Sequence, residues 1–128
     1  MNFILDTNAY SDFMRGDGAI AGHLGRAELV YLPVIVIGEL KRGFYGGNKV
    51  SPNLSAFKQF LAKPRVQTLD VNAETAEHFG RLAAYLKKQG TPIPVNDVWI
   101  AALCVQYEVP LLTGDTDFDY LPQISLLV

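Results

Sequence analysis

Five short apolar runs, each separated from the next by a stretch of helical periodicity, restrict what this chain can fold into. Asn2–Leu5, Leu29–Leu32, Val66–Leu69, Pro110–Thr113 and Ile124–Val128 have the length and composition of strands. The segments between them return apolar residues at spacings of three and four, as a helix with one buried face requires. Parallel neighbours cannot be joined by a tight turn and need a long crossover, which the intervening helices supply. The alternation predicts an α/β fold with a mostly parallel, roughly five-stranded sheet covered on both faces, in a single domain over residues 1–128.

Local chemistry marks the helix ends. Thr7 or Asn8 is the expected N-cap of a helix over Ala9–Arg15, which stops at Gly16. Asp17-Gly18 breaks the chain before a weaker helix over Ile20–Ala27. The β-branched run Val34–Ile37 also suits a continued strand, but Pro33, placed at a first helical position, favours a helix through Lys41 that closes near Gly43–Gly47. Gly46–Pro52 reads as a loop and Leu54–Leu61 as an amphipathic helix ended by Lys63-Pro64. Asn72 caps the most regular helix, whose apolar stripe is Ala73, Ala76, Phe79, Ala83 and Leu86 and whose stop is Gly90. After Pro92 and Pro94, Asn96 is the expected cap of a helix through Trp99, Ile100, Leu103 and Cys104.

Composition removes several classes. One cysteine, Cys104, excludes a disulfide framework and a cysteine-rich zinc module. The longest apolar stretch, Leu29–Ile37, is far too short for a membrane span and contains Pro33. Met1–Leu5 meets an acid at Asp6, so it lacks both the basic start and the apolar length of a signal peptide. A cytoplasmic protein with no membrane association is expected. The formal charge of −2 argues at first against a nucleic-acid partner, yet neutralising five acids with metal would leave +3. Placement of the acids therefore matters more than their sum.

That placement is informative. In α/β sheets ligands bind beyond the carboxyl ends of strands, and Asp6 and Asp115 follow the first and fourth strand candidates. Glu39 comes after the almost wholly apolar Val34–Ile37, where an unpaired carboxylate is costly without a nearby cation. Asp97 lies in a first helical turn, and Asp117 follows Asp115 by two residues. Grouped carboxylates repel one another unless a hard cation intervenes, and Mg²⁺ or Mn²⁺ suits all-oxygen ligands. There is no HExxH, no CxxC, no Walker loop and no GxGxxG, which disfavours zinc and a nucleotide cradle and leaves phosphodiester hydrolysis as the best match.

Ile4-Leu5-Asp6-Thr7-Asn8, Gly38-Glu39-Leu40, Asn96-Asp97-Val98-Trp99-Ile100-Ala101-Ala102 and Leu112-Thr113-Gly114-Asp115-Thr116-Asp117-Phe118 together resemble the four motifs of PIN-domain ribonucleases of the VapC toxin type. The resemblance spans essentially the whole chain. It implies a PIN-like three-layer α/β/α fold and a Mg²⁺- or Mn²⁺-dependent endoribonuclease acting on RNA, with transfer or ribosomal RNA as the family's frequent targets. A homodimer and inhibition by a cognate VapB-like antitoxin are implied as well. Carried over by position, Asp6, Glu39, Asp97 and Asp115 form the catalytic and metal-binding set and Asp117 is an auxiliary metal ligand. Thr113 and Asn8 support them.

Arg15, Lys41, Arg42 and Lys49 are candidate RNA contacts, although charged helix residues are commonly a solvated face. Tyr10, Phe13, Phe44 and Tyr45 offer base stacking or antitoxin docking, with core packing expected for at least two of them. His78 reads as a boundary residue and Cys104 as an inert core thiol, while Trp99 is expected against the sheet or a dimer partner. Two other functions compete: a catalytically silent module that binds RNA or protein, and a receiver-type signalling domain. The second needs a late lysine, and none follows Lys88.

Overall fold

The computed structural model describes residues 1–127. Its sheet has the order β3-β2-β1-β4-β5, and every neighbouring pair is parallel. The strands are β1 (Asn2–Leu5), β2 (Leu29–Pro33), β3 (Val66–Leu69), β4 (Leu111–Leu112) and β5 (Leu126–Leu127). Register is fixed by pairs such as Phe3 with Val30 and Leu5 with Leu112. The fourth and fifth strands are shorter than their apolar runs, and Val128 lies outside the described residues.

Successive crossovers β1-to-β2 and β2-to-β3 step in one direction, whereas β3-to-β4 returns across the sheet. Right-handed connections therefore place α1 (Thr7–Met14), α2 (Gly18–Arg26), α3 (Val34–Tyr45) and α4 (Val50–Leu61) on one face, with α5 (Ala73–Gln89) and α6 (Val95–Tyr107) on the other. The strand order reverses between β1 and β4, which opens a crevice beyond their carboxyl ends. A receiver domain has the flavodoxin-like order 2-1-3-4-5, so this topology disposes of that alternative.

Burial explains why these segments hold. Phe3, Ile4 and Leu5 are wholly buried, as a central parallel strand covered on both faces requires. Tyr10 lies edge-on to both Phe57 and Phe60, and Phe44 meets Phe57, so an aromatic cluster joins α1, α3 and α4. On the opposite face Trp99 stacks on Phe79 at 4.0 Å, tying α6 to α5. Tyr10 is buried and Phe13 and Phe44 are half-buried against the core, but Tyr45 is 63% exposed. Cys104 is buried, and loss of hydration pushes its thiol pKa well up, which suits an unreactive core side chain. His78 is half-buried, 3.7 Å from Glu74.

Several boundaries differ from expectation for identifiable reasons. Asp6, not Thr7 or Asn8, caps α1: its Oδ1 accepts from the Ala9 N–H at 2.8 Å. Pro33 ends β2 and occupies the cap position of α3, so its fixed φ serves both extended and helix-starting geometry. The run Val34–Ile37 is helical. Helix α4 begins at Val50, inside the expected loop, with Pro52 in its first turn where a missing N–H costs nothing. Pro94 rather than Asn96 caps α6. On α5 the stripe shifts: Ala73 and Ala76 are exposed, while Thr75, Leu82 and Leu86 are buried. Asn72 caps this helix as expected, with a reciprocal bond to Thr75, and Gly90 ends it at φ 72°. Among the described residues no helix is long and apolar enough to cross a membrane.

Candidate active site

The crevice between β1 and β4 collects the acids. Asp6 leaves β1 and is only 3% exposed. Its Oδ1 is committed to capping α1, and its Oδ2 accepts a short hydrogen bond from the Thr113 hydroxyl. The same Thr113 oxygen accepts the Asp115 N–H at 2.9 Å, and Asp115 Oδ1 accepts the Asp117 N–H at 2.9 Å. A run of local bonds thus starts at β1, crosses to β4 and shapes the following loop, with Asp115 capping a 3₁₀ turn over Thr116–Tyr120. The sequence offered no periodic pattern from which to expect that turn.

Asp97, Asp115 and Asp117 each present a carboxylate oxygen within 4.8 Å of the others, and all three are half-buried. Glu39 lies beside this group on α3. Its Oε1 accepts from Thr7 Oγ1 at 2.6 Å and its Oε2 from Asn96 Nδ2 at 3.4 Å. Four of the candidate acids stay within electrostatic reach of Asp97. Burial, followed by the charges of Asp115, Glu39, Asp6 and Asp117, pushes its pKa from 3.8 up to about 7. A position in the first turn of α6 favours the ionised form by ~1 kcal/mol, so desolvation and crowding outweigh the helix dipole here. Asp6 is raised to about 6, chiefly by burial, against the lowering effect of Thr113 and the Ala9 N–H. Asp115 and Asp12 add to the rise.

These observations test the fit of a hard divalent cation. The close trio supplies only oxygen donors, and burial with like-charged neighbours raises the pKa of Asp97 within it and of Asp6 beside it. Among the described residues no salt bridge reaches Asp6, Glu39, Asp97, Asp115 or Asp117. A doubly charged cation would relieve all of these at once, and the donor set fits Mg²⁺ or Mn²⁺.

The supporting candidates are distributed differently. Asn8 is exposed in the first turn of α1. Arg15 is engaged by Asp12 at 2.7 Å on the same helix. Lys41 and Arg42 are exposed on α3, and Lys49 is exposed at the start of α4. Sequence reasoning passed over Thr7 and Asn96, which hold Glu39, and Asp12, which bears on Asp6. Thr7 and Asn96 each adjoin a singled-out acid, but only the tertiary structure shows that both reach α3. A linear charge pattern was also missed: six of the 11 Lys and Arg lie between residues 40 and 69, a stretch without Asp or Glu.

The PIN domain family matches residues 3–123. The chain is 31% identical over 117 residues to Ribonuclease VapC1 of Haemophilus influenzae strain R2866, covering 88% of this chain and 86% of that protein. The structure of VapBC-1 from nontypeable Haemophilus influenzae superposes with a TM-score of 0.87 at 27% identity, over 99% of this chain and 97% of that one. VapBC2 from Rickettsia felis, solved bound to a promoter DNA fragment, shares the fold with a TM-score of 0.89 at 24% identity over 99% and 98% of the two chains. A fully parallel sheet with acids at its switch point, and a family match across nearly the whole chain, lead to one conclusion: this chain belongs to the PIN-domain family, alongside the VapC ribonucleases.

Proposed function

We propose that this protein is an endoribonuclease toxin that hydrolyses RNA phosphodiester bonds with the help of Mg²⁺ or Mn²⁺ and is neutralised by a cognate VapB-like antitoxin. The carrying observation is the convergence of Asp97, Asp115 and Asp117, with Asp6 and Glu39 beside them, at the β1–β4 crevice. The likeness to Ribonuclease VapC1 supports the substrate class, and the likeness to VapBC-1 supports the antitoxin. The reading takes residues 1–128 as one PIN domain that works in the cytoplasm as a homodimer.

In this reading Asp97, Asp115 and Asp117 would hold the cation as the closest trio, with Asp6 and Glu39 as the remaining metal-binding acids of the catalytic set. A bound Mg²⁺ or Mn²⁺ supplies positive charge to the phosphate oxygens and makes water a better nucleophile at neutral pH. Thr113 holds Asp6 Oδ2 by donating its hydroxyl proton and at the same time anchors the Asp115 backbone. The carboxyls must lose their protons to bind metal, so affinity and cleavage should rise together between pH 5 and pH 8.

The deciding experiment incubates the purified protein with a pool of cellular RNA and maps new ends with Mg²⁺, with Mn²⁺ and with EDTA. Cleavage at defined sites that ceases in EDTA is expected, as is its suppression by the co-expressed antitoxin. Binding of RNA without turnover in either metal would instead establish a silent binding module.

The acid-free stretch 40–69 supplies the positive charge facing RNA phosphates in this reading, with Lys41, Arg42 and Lys49 as its members nearest Glu39 in sequence. Arg15 contributes less, because Asp12 already compensates it. Removing one cation that pairs with a phosphate lowers the salt slope of single-stranded RNA binding by ~0.7. Replacing Lys41, Arg42 and Lys49 together with glutamine should therefore flatten the slope by about 2, measured by fluorescence anisotropy in EDTA. A slope equal to that of the wild type would remove this surface from the RNA path.

A further inference from the structure

Glu39 is the only one of the singled-out acids whose two oxygens are taken by neutral side-chain donors from two other helices, among the described residues. Thr7 reaches Oε1 from α1 at 2.6 Å, and Asn96 reaches Oε2 from α6 at 3.4 Å. Thr7 directly follows Asp6, and Asn96 directly precedes Asp97. Pro94 occupies the cap of α6, so the Asn96 side chain is released from the capping task its residue type suits and turns to Glu39 instead.

We infer that Thr7 and Asn96 are positioning residues, which together orient the Glu39 carboxylate toward the shared cation without neutralising it. This rests on the metal-dependent reading above. A glutamate has three rotatable side-chain bonds, and the negative field of its neighbours favours its swinging away into solvent. An Arg or Lys partner would hold it but would also cancel the charge that attracts a cation. A hydroxyl and a carboxamide instead use one lone pair on each oxygen and leave the others available. Because the donors adjoin Asp6 and Asp97, Glu39 is tied to the backbone of two acids of the same site. Its placement then depends on how α1, α3 and α6 are packed, not on its own rotamer preference.

The test is titration of Mn²⁺ by electron paramagnetic resonance on the full chain, in parallel with RNA cleavage at saturating metal. Thr7→Val removes the shorter bond and should weaken Mn²⁺ binding by ~10–100-fold, the range typical of partners that orient metal ligands. Thr7→Ser keeps a hydroxyl and should recover most of that affinity. Asn96→Ala, which loses the longer bond, should have a smaller effect of several-fold. In a Glu39→Gln background Thr7→Val should cause little further loss, since its target carboxylate is gone. Thermal melts separate these outcomes from misfolding, because Thr7 is the first residue of α1 and makes its bond at the helix end. Wild-type Mn²⁺ affinity in Thr7→Val, or an equal loss with and without Glu39, overturns the positioning role while leaving the metal reading intact. If the wild type binds no Mn²⁺, both fall together.

Discussion

Asp97→Asn should abolish RNA cleavage, with a loss on the order of 10²–10⁴-fold, and should also make the metal-free protein more resistant to heat at pH 8. The two effects have one cause. Asp97 is pushed up to about 7 because burial and four acidic neighbours disfavour its charge. The unfolded chain ionises it near 3.8, so folding holds the proton more tightly than the unfolded state does. Stability is then greatest below pH ~4 and is lost as the pH rises toward 7, where the folded carboxyl ionises against its neighbours. Asparagine removes that repulsion. With allowance for solvent screening around a half-buried group, the relief is on the order of 1–2 kcal/mol, or about 3–8 °C in melting temperature for a domain of this size. Added Mn²⁺ should reverse the ranking by stabilising the wild type while leaving the variant unmoved. A variant that still cleaves, or that melts below the wild type in EDTA at pH 8, would show that Asp97 serves the fold and not the cation.

How much of this was legible in the sequence depends on whether the responsible interaction is local. Alternating strand and helix patterns predict the sheet because a covered strand must be apolar on both faces and a helix on one, requirements that leave a short continuous apolar run for the first and a repeat every three or four residues for the second. Asn72 and Gly90 were readable for the same reason: capping by Asn72 and the left-handed turn at Gly90 act within a few residues. Asp6 was recognised as an acid after a strand, but its capping role was assigned to its neighbours, since Asp, Thr and Asn all serve at that position and only the exit angle of β1 decides. Asn96 failed for a different reason. A good capping residue sat two positions too far in, and Pro94, which offers no side-chain cap, set the start. The loop over 46–52 was read from its Gly and Pro content, yet Pro52 falls where a helix tolerates it. The acids could be named singly from motif order. That Asp97, Asp115 and Asp117 form the close trio while Asp6 and Glu39 are held by hydroxyl and amide donors follows from α1, α3 and α6 meeting at the β1–β4 crevice, which no short window contains.

Asp6→Ala and Asp6→Asn should both lose cleavage to a similar extent as Asp97→Asn, but their stabilities should separate with pH. Asp6 has two opposing effects on the fold. Its Oδ1 caps α1 and its Oδ2 accepts from Thr113, bonds that together contribute about 2 kcal/mol. Its burial, on the other hand, raises its pKa from 3.8 to about 6, so the ionised form costs stability that is lost progressively as the pH climbs from ~4 through 6. At pH 4 the folded carboxyl is protonated and the unfolded one only partly ionised, so that cost is still small; alanine then removes useful bonds and should destabilise by about 2 kcal/mol. At pH 8 the charge penalty, of similar size, disappears with the carboxylate, and the alanine variant should melt close to the metal-free wild type. Asparagine keeps an oxygen for the Ala9 N–H and sheds the charge, so at pH 8 it should melt above both. Thermal denaturation in EDTA at the two pH values measures all of this without reference to catalysis. An alanine variant equally destabilised at pH 4 and pH 8 would mean that Asp6 is not strained by burial, and that the acids of the crevice do not compete for a charge the protein itself leaves unbalanced.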